Sequence, residues 1–200
     1  AGIRYFDTAP LYGFGLSETR LGAGLRQLDR AQCTISSKVG YTLVPKGASE
    51  PPVEVFVDTP PLASAFDYSR DAILSSLDAS LQRLNLTRID LVYVHDPDRC
   101  VSIDPDFDPN QENDFQQVVD ETFPALAELR SQGVIGAIGV GMNQSQMLCD
   151  FARAADFDCF LLAGRYTLLE QQSVEELLPL CEQKKIRIVI GGPYNSGILA

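Results

Sequence analysis

The sequence predicts an α/β fold, a parallel (β/α)8 barrel present as an internal fragment that lacks its first and last strands. Three observations carry that expectation. Apolar runs of strand length alternate with amphipathic helical patterns along the 200 residues, and such alternation builds a parallel sheet with helical crossovers. One run, Ile89-Asp90-Leu91-Val92-Tyr93-Val94, is nearly continuously apolar, as a strand buried on both faces must be. The residues able to do chemistry fall at the C-terminal ends of several different strands, which is where barrels assemble their sites.

Taken in order, Ile3 to Phe6 reads as the first strand. Ser17 can cap a helix whose Leu21, Leu25 and Leu28 share one face. Cys33 to Ser37 is a second strand, stopped by Lys38-Val39-Gly40. Residues 41–66 are proline-rich and show little periodicity, so they read as a long loop of the kind that tends to carry function. Tyr68 to Leu84 is a helix with Ile73, Leu77, Leu81 and Leu84 in its apolar stripe and Ser69 and Asp71 at its start. After the strand at 89–94 comes an acidic, proline-rich loop over 96–113. A helix covers Phe115 to Ser131, with Pro124 marking a kink or a break, and Gly133 ends it. Val134 to Val140, Asp158 to Leu162 and Ile186 to Ile190 are strands; Gln144 to Ala155 and Ser173 to Lys184 are the helices between them.

An open doubly wound sheet would show the same alternation. A dinucleotide-binding version would carry G-x-G-x-x-G at its first strand-to-helix turn. Here that turn reads Gly13-Phe14-Gly15-Leu16-Ser17, without the third glycine. A full barrel takes about 250 residues. The chain starts almost directly in a strand and stops without a terminal helix. Residues 1–200 are therefore expected to be a single barrel domain truncated at both ends.

Composition narrows the partners. Sixteen basic against 27 acidic residues give a net charge of −11. That argues against nucleic acid or an anionic membrane surface, both of which need basic patches. No apolar stretch approaches the ~18 residues of a membrane span. The five cysteines are odd in number and scattered, and with one histidine they give little support for a metal site. Reduced thiols and a cytoplasmic location are expected.

Asp7, Lys38 and His95 end three strands, and Tyr12 sits in the loop after the first. Taken singly, each has a plain structural explanation: an Asx-turn, loop packing, a solvated lysine, a hydrogen-bonded core histidine. On one rim they make a proton-transfer site. A tyrosine hydroxyl ordinarily titrates near about 10. An ammonium beside it favours the phenolate, and a carboxylate keeps that ammonium charged and placed. A histidine can hydrogen-bond the reacting oxygen. Such a group can exchange a proton with an alcohol while a nicotinamide handles the hydride.

With these residues in place, the sequence resembles the aldo-keto reductase family over essentially its whole length. The segments that carry the resemblance are F-D-T-A-P-L-Y-G-F-G-L-S-E at 6–18, S-S-K-V-G at 36–40, I-D-L-V-Y-V-H-D-P at 89–97, G-V-I-G-A-I-G-V-G-M-N at 133–143 and G-G-P-Y-N-S-G-I-L-A at 191–200. The resemblance implies a barrel that binds NAD or NADP across its rim, with Asp7, Tyr12, Lys38 and His95 as the catalytic tetrad. It implies cofactor contacts at Met142, Asn143, Gly192, Pro193, Tyr194, Ser196 and Leu199, the loop 191–199 approaching the pyrophosphate. Two positions depart from the family pattern: a usual glutamine is Ala163, and a usual stacking aromatic is Gly191. Segments 140–143, 161–171 and 191–197 are most similar to the family's bacterial sugar dehydrogenases. The implied activity is hydride transfer from C1 of an aldose to NAD(P), giving the lactone. The alternatives are oxidation of pyridoxal, general carbonyl reduction, or a non-catalytic nucleotide-binding subunit. The expected partner is a small sugar or aldehyde.

Overall fold

The computed structural model describes residues 2–47, 56–99 and 113–200. Strand β1 (Tyr5–Asp7) leads into helix α1 (Leu16–Leu25), and β2 (Thr34–Val39) runs directly into a hairpin of β3 (Tyr41–Pro45) and β4 (Leu62–Phe66). Helix α2 (Arg70–Leu84) and strand β5 (Ile89–His95) follow. A helix then runs through α3 (Phe115–Gln117), a π turn (Val118–Thr122) and α4 (Phe123–Ser131). Strand β6 (Ile135–Met142), α5 (Ser145–Ala154), β7 (Cys159–Ala163), α6 (Leu177–Lys184) and β8 (Arg187–Gly191) complete the order.

Six strands form one sheet in the order β1-β2-β5-β6-β7-β8, every neighbouring pair parallel. Strands adjacent in the parallel series are adjacent in space, as in a barrel wall, so the chain forms an open arc of a (β/α)8 barrel rather than a doubly wound sheet. Side chains alternate between the two faces of a strand. Val92, Val94, Ile138, Val140 and Met142 point to the helices and join Ile73, Leu77, Leu148 and Phe151 in the main core. Tyr5, Asp7, Ser36, Lys38, Leu91, Tyr93 and His95 have the opposite parity and line the inner face. The β5 run is buried along its length except at Asp90.

Several sequence expectations need correction. Residues 41–66 are not a bare loop: Tyr41–Pro45 and Leu62–Phe66 pair antiparallel, while 48–55 lie outside the described residues. The Ala and Ser of β4 have weak strand propensity, and the pair is held instead by ring contacts, Tyr41 to Phe66 at 4.6 Å and Phe66 to Tyr68 at 6.2 Å. Most of the expected loop at 96–113 also lies outside the described residues. Ser17 does not cap α1; Gly15, at φ 88°, precedes the helix, and the Ser17 hydroxyl bonds Thr8 Oγ1 at 2.8 Å. The helix stops at Leu25, so Leu28 is outside it and exposed. Pro124 falls in the first turn of α4, directly after the π turn at Val118–Thr122, so the regular helix is interrupted next to the proline as the sequence leads one to expect. The last helix begins at Leu177 rather than Ser173, after a 3-10 turn at Gln172–Val174. Pro179 then occupies its first turn.

Glu18 ties α1 to this frame. It is fully buried, accepts from Ser37 Oγ at 2.6 Å and from Arg83 Nε at 2.7 Å, and so joins α1, β2 and α2. No helix among the described residues is long and apolar enough to cross a membrane.

Candidate active site at the C-terminal rim

Because all six strands run the same way, their C-terminal ends form one rim, and residues with inward parity at those ends converge. Asp7 ends β1, Lys38 lies one residue before the end of β2, and His95 ends β5. Lys38 is buried, and its Nζ donates to Asp7 Oδ2 at 2.6 Å and to the Thr8 carbonyl at 2.9 Å. The same Nζ lies 4.6 Å from the centroid of the Tyr12 ring. Tyr12 meets His95 edge to face, ring centroids 5.8 Å apart. The four residues singled out by sequence are thus brought together.

The ammonium is held by a hydrogen-bonded chain on the inner face. Ser36 Oγ donates to the second Asp7 oxygen at 2.6 Å, and the Tyr5 hydroxyl lies 2.8 Å from Ser36 Oγ and 3.2 Å from the Tyr93 hydroxyl. Both Asp7 oxygens therefore have donors, which fixes the carboxylate's orientation.

His95 sits against Tyr41 from the hairpin, centroids 4.9 Å apart. Burial, and then the nearby Lys38 charge, hold its imidazole well below the usual histidine range, so it is neutral at pH 7. Its Nδ1 has no hydrogen-bond partner among the described residues. Tyr68 braces this strand end from below: its hydroxyl donates to the carbonyl of His95 at 2.6 Å and of Asp96 at 3.0 Å. Gly40, at φ +112°, leaves the space for that ring; a Cβ there would stand 2.3 Å from Tyr68 Cε1. Asp96 is pushed up to about 7 by burial and by Asp98, against the opposing pull of Lys38 and Tyr41.

Beyond the tetrad the rim continues through β6, β7 and β8. Asn143 stands exposed just past β6. The Met142 side chain does not reach the rim: its parity is that of Ile138 and Val140, so it is buried in the helix-facing core and only its backbone borders the site. Gly192, Pro193, Tyr194 and Ser196 are exposed in the loop after β8, where Gly192, Asn195, Ser196 and Gly197 all adopt positive φ, and Leu199 is half-buried. Asn195 Oδ1 is buried without a partner among the described residues. The two departures noted in the sequence are one feature in space, because Ala163 and Gly191 are register partners across β7 and β8.

Ser36, Tyr41, Tyr68, Asp96 and Asn195 were not singled out by sequence. The alternating Tyr41-Thr42-Leu43-Val44 run was the available signal for the hairpin that brings Tyr41 to His95. A cavity of about 860 Å³ lies at the opposite end of the arc against Thr34, Asp90, Arg187 and Tyr5. It is the open inner face of the sheet near the strand starts, away from the polar residues of the rim. Smaller clefts flank the rim beside Tyr12, about 390 Å³, and beside Asn143, about 350 Å³.

A family model for the aldo/keto reductase family matches residues 1–200. The chain belongs to the aldo/keto reductase family. It is 41% identical over 204 residues to a D-threo-aldose 1-dehydrogenase of a Pseudomonas species, covering all of this chain and 58% of that protein. It is also 41% identical over 210 residues to a pyridoxal 4-dehydrogenase of Microbacterium luteolum, covering all of this chain and 60% of that one. The chain thus spans about three fifths of the length of these curated relatives. The holo form of a Bacillus halodurans aldo-keto reductase superposes on the whole chain and 55% of its own with a TM-score of 0.73 at 24% identity. A Klebsiella pneumoniae aldo-keto reductase in complex with NADPH gives 0.66 at 20% identity, over 98% of this chain and 55% of its own. At these identities the two structures speak to the fold alone, and the fold they share is that of the barrel arc.

Proposed function

We propose that the protein oxidises an aldose at C1 to its lactone, passing the hydride to NAD or NADP. The observation that carries the reading is the buried Lys38 ammonium, held by Asp7 on one side and facing the Tyr12 ring on the other. The choice of an aldose rests on the 41% identity to the aldose 1-dehydrogenase.

In this reading Tyr12, as phenolate, takes the proton of the C1 hydroxyl. Lys38 stabilises that phenolate, Asp7 and Thr8 hold Lys38, and neutral His95 donates from Nε2 to the C1 oxygen and orients it. The C–H electron pair leaves C1 as hydride while the C1–O bond becomes the lactone carbonyl. The nicotinamide, when bound, supplies the carbon that accepts that hydride. The rim residues fit such a group: Asn143 is exposed beside the tetrad strands, and the 192–197 loop presents hydroxyls and an open backbone. Asn143 would take the carboxamide and the 192–199 loop the phosphates. The paired Ala163 and Gly191 leave that stretch of rim without the usual glutamine and aromatic, so Asn143 carries more of the orientation.

Tyr12→Phe in the full-length protein is expected to abolish nicotinamide reduction while leaving cofactor binding, read by fluorescence titration, nearly intact. Turnover equal to wild type sinks the mechanism. Equal identity to the pyridoxal 4-dehydrogenase favours one second reading, the same chemistry on pyridoxal. A panel of sugars and pyridoxal, run with NAD and NADP in parallel, separates the two, and any turnover eliminates a purely nucleotide-binding role.

A further inference from the structure

We infer that Asp96, with Tyr41 behind it, forms a subsite that reads a hydroxyl group on the carbon next to the reacting one. The inference rests on the reading of His95 as the residue that meets the reacting oxygen. Asp96 is the first residue beyond β5, and its backbone is pinned: its N–H donates to the Gly141 carbonyl at 2.9 Å and its carbonyl accepts from Tyr68 at 3.0 Å. Its φ is +44°, a left-handed conformation that Asp tolerates better than most residues but that is still uncommon. Strain of this kind persists where the surroundings over-determine it, and it clusters at ligand sites.

The pinned backbone aims the carboxyl at the site. Asp96 Oδ2 lies 3.6 Å from His95 Nε2, beyond a good hydrogen bond, so His95 does not satisfy it. The side chain is 21% exposed, which leaves it open to a ligand. Tyr41 is 3% exposed, and its hydroxyl has no partner in hydrogen-bond geometry among the described residues, although it faces Asp96 closely enough to steady the carboxylate. An oxygen seated on Nε2 has its neighbour on a sugar ring only a hydrogen-bond length away. A carboxylate flanking Nε2 is placed to accept from that neighbour, with the buried Tyr41 hydroxyl behind it to steady it. A plain aldehyde offers nothing to this pair and leaves the buried polar groups unpaired, which is how a site rejects an analogue lacking a hydroxyl.

The test compares kcat/KM for an aldose and its 2-deoxy analogue in the full-length protein, with lactaldehyde and propionaldehyde as a second pair in the direction of carbonyl reduction. The wild type is expected to favour the hydroxylated member of each pair by roughly 10- to 100-fold, the scale of a hydrogen bond to a charged group. Asp96→Ala brings the ratio close to one, the loss falling chiefly on the hydroxylated member. Asp96→Asn, which keeps one acceptor and the shape, retains part of the preference, and Tyr41→Phe lies between. Circular dichroism of each variant guards against misfolding. A ratio that survives Asp96→Ala, or a parallel loss on both members, overturns the subsite. Aldehyde discrimination without sugar turnover keeps the subsite and removes the aldose reading; no turnover with any of the four substrates removes both.

Discussion

Replacing Lys38 by Met tests the core of the mechanism, because it removes one charge and little volume. The Lys38 Nζ sits 4.6 Å from the Tyr12 ring centroid. Two unit charges at that distance interact by about 3.6 kcal/mol at an effective dielectric of about 20. Acting in full on negative charge that develops beside the ring in the transition state, that corresponds to a few hundredfold in rate. The Asp7 carboxylate, 2.6 Å behind the ammonium, offsets part of the field. The expected loss in kcat is therefore roughly 30- to 300-fold. Stability should change much less. Removing one partner of a fully buried ion pair is costly, but Asp7 is partly exposed and keeps Ser36 as donor, which limits the loss. The expected cost is about 1–2 kcal/mol. The assay is steady-state nicotinamide reduction on the full-length protein, alongside urea titration followed by circular dichroism. A kcat within about threefold of wild type would refute the electrostatic role of Lys38. A collapse in stability matching the loss in rate would assign the residue to folding instead.

Other expectations concern the frame. Gly40→Ala places a methyl against the Tyr68 ring at a positive φ, and should cost about 3 kcal/mol in chemical denaturation. An unchanged midpoint would show that the brace under His95 gives way freely. Glu18→Ala leaves Arg83 and Ser37 without their buried partner and should cost about 3–4 kcal/mol, with Glu18→Gln costing less because it still accepts from Ser37. Equal stability of all three proteins would discount the clamp. Asp96 bears on pH. Its carboxyl is pushed up to about 7 from an ordinary 3.8, so the folded protein holds that proton more tightly than the unfolded chain. Its contribution is most favourable below pH 4 and is lost as pH rises towards 7. Asp96→Asn should thus be more stable than wild type at pH 8, by at most about 4 kcal/mol, and lose that advantage at pH 4. A pH-independent difference in urea midpoints would contradict this.

Much of the molecule follows from local pattern. The continuous apolar run at β5 and the strand-helix alternation together point to a parallel sheet, whose helical crossovers cover both faces of its strands. The tetrad was legible for the same reason: parallel strands put all their C-terminal ends on one rim, so Asp7, Lys38 and His95 had to meet once their strands were recognised. Pattern is blind where the stabilising contacts lie between segments. The β3–β4 hairpin has poor propensity in its second strand and exists through Tyr41, Phe66 and Tyr68. Met142 lies next to Asn143 in sequence, yet strand parity sends it to the opposite face.

The sequence alone determined the alternation, the approximate place of each parallel strand and the four residues proposed to move the proton, since these depend on periodicity and residue type. The tertiary structure decided which groups hold them. Ser36 orients Asp7 across a strand pair, Tyr68 fixes the turn after β5 from a neighbouring element, and Asp96 is turned towards His95 by a left-handed backbone. Ala163 and Gly191, far apart in the chain, become one short gap in the rim. Each of these depends on register between strands, and register is set by the whole buried face rather than by any segment within it.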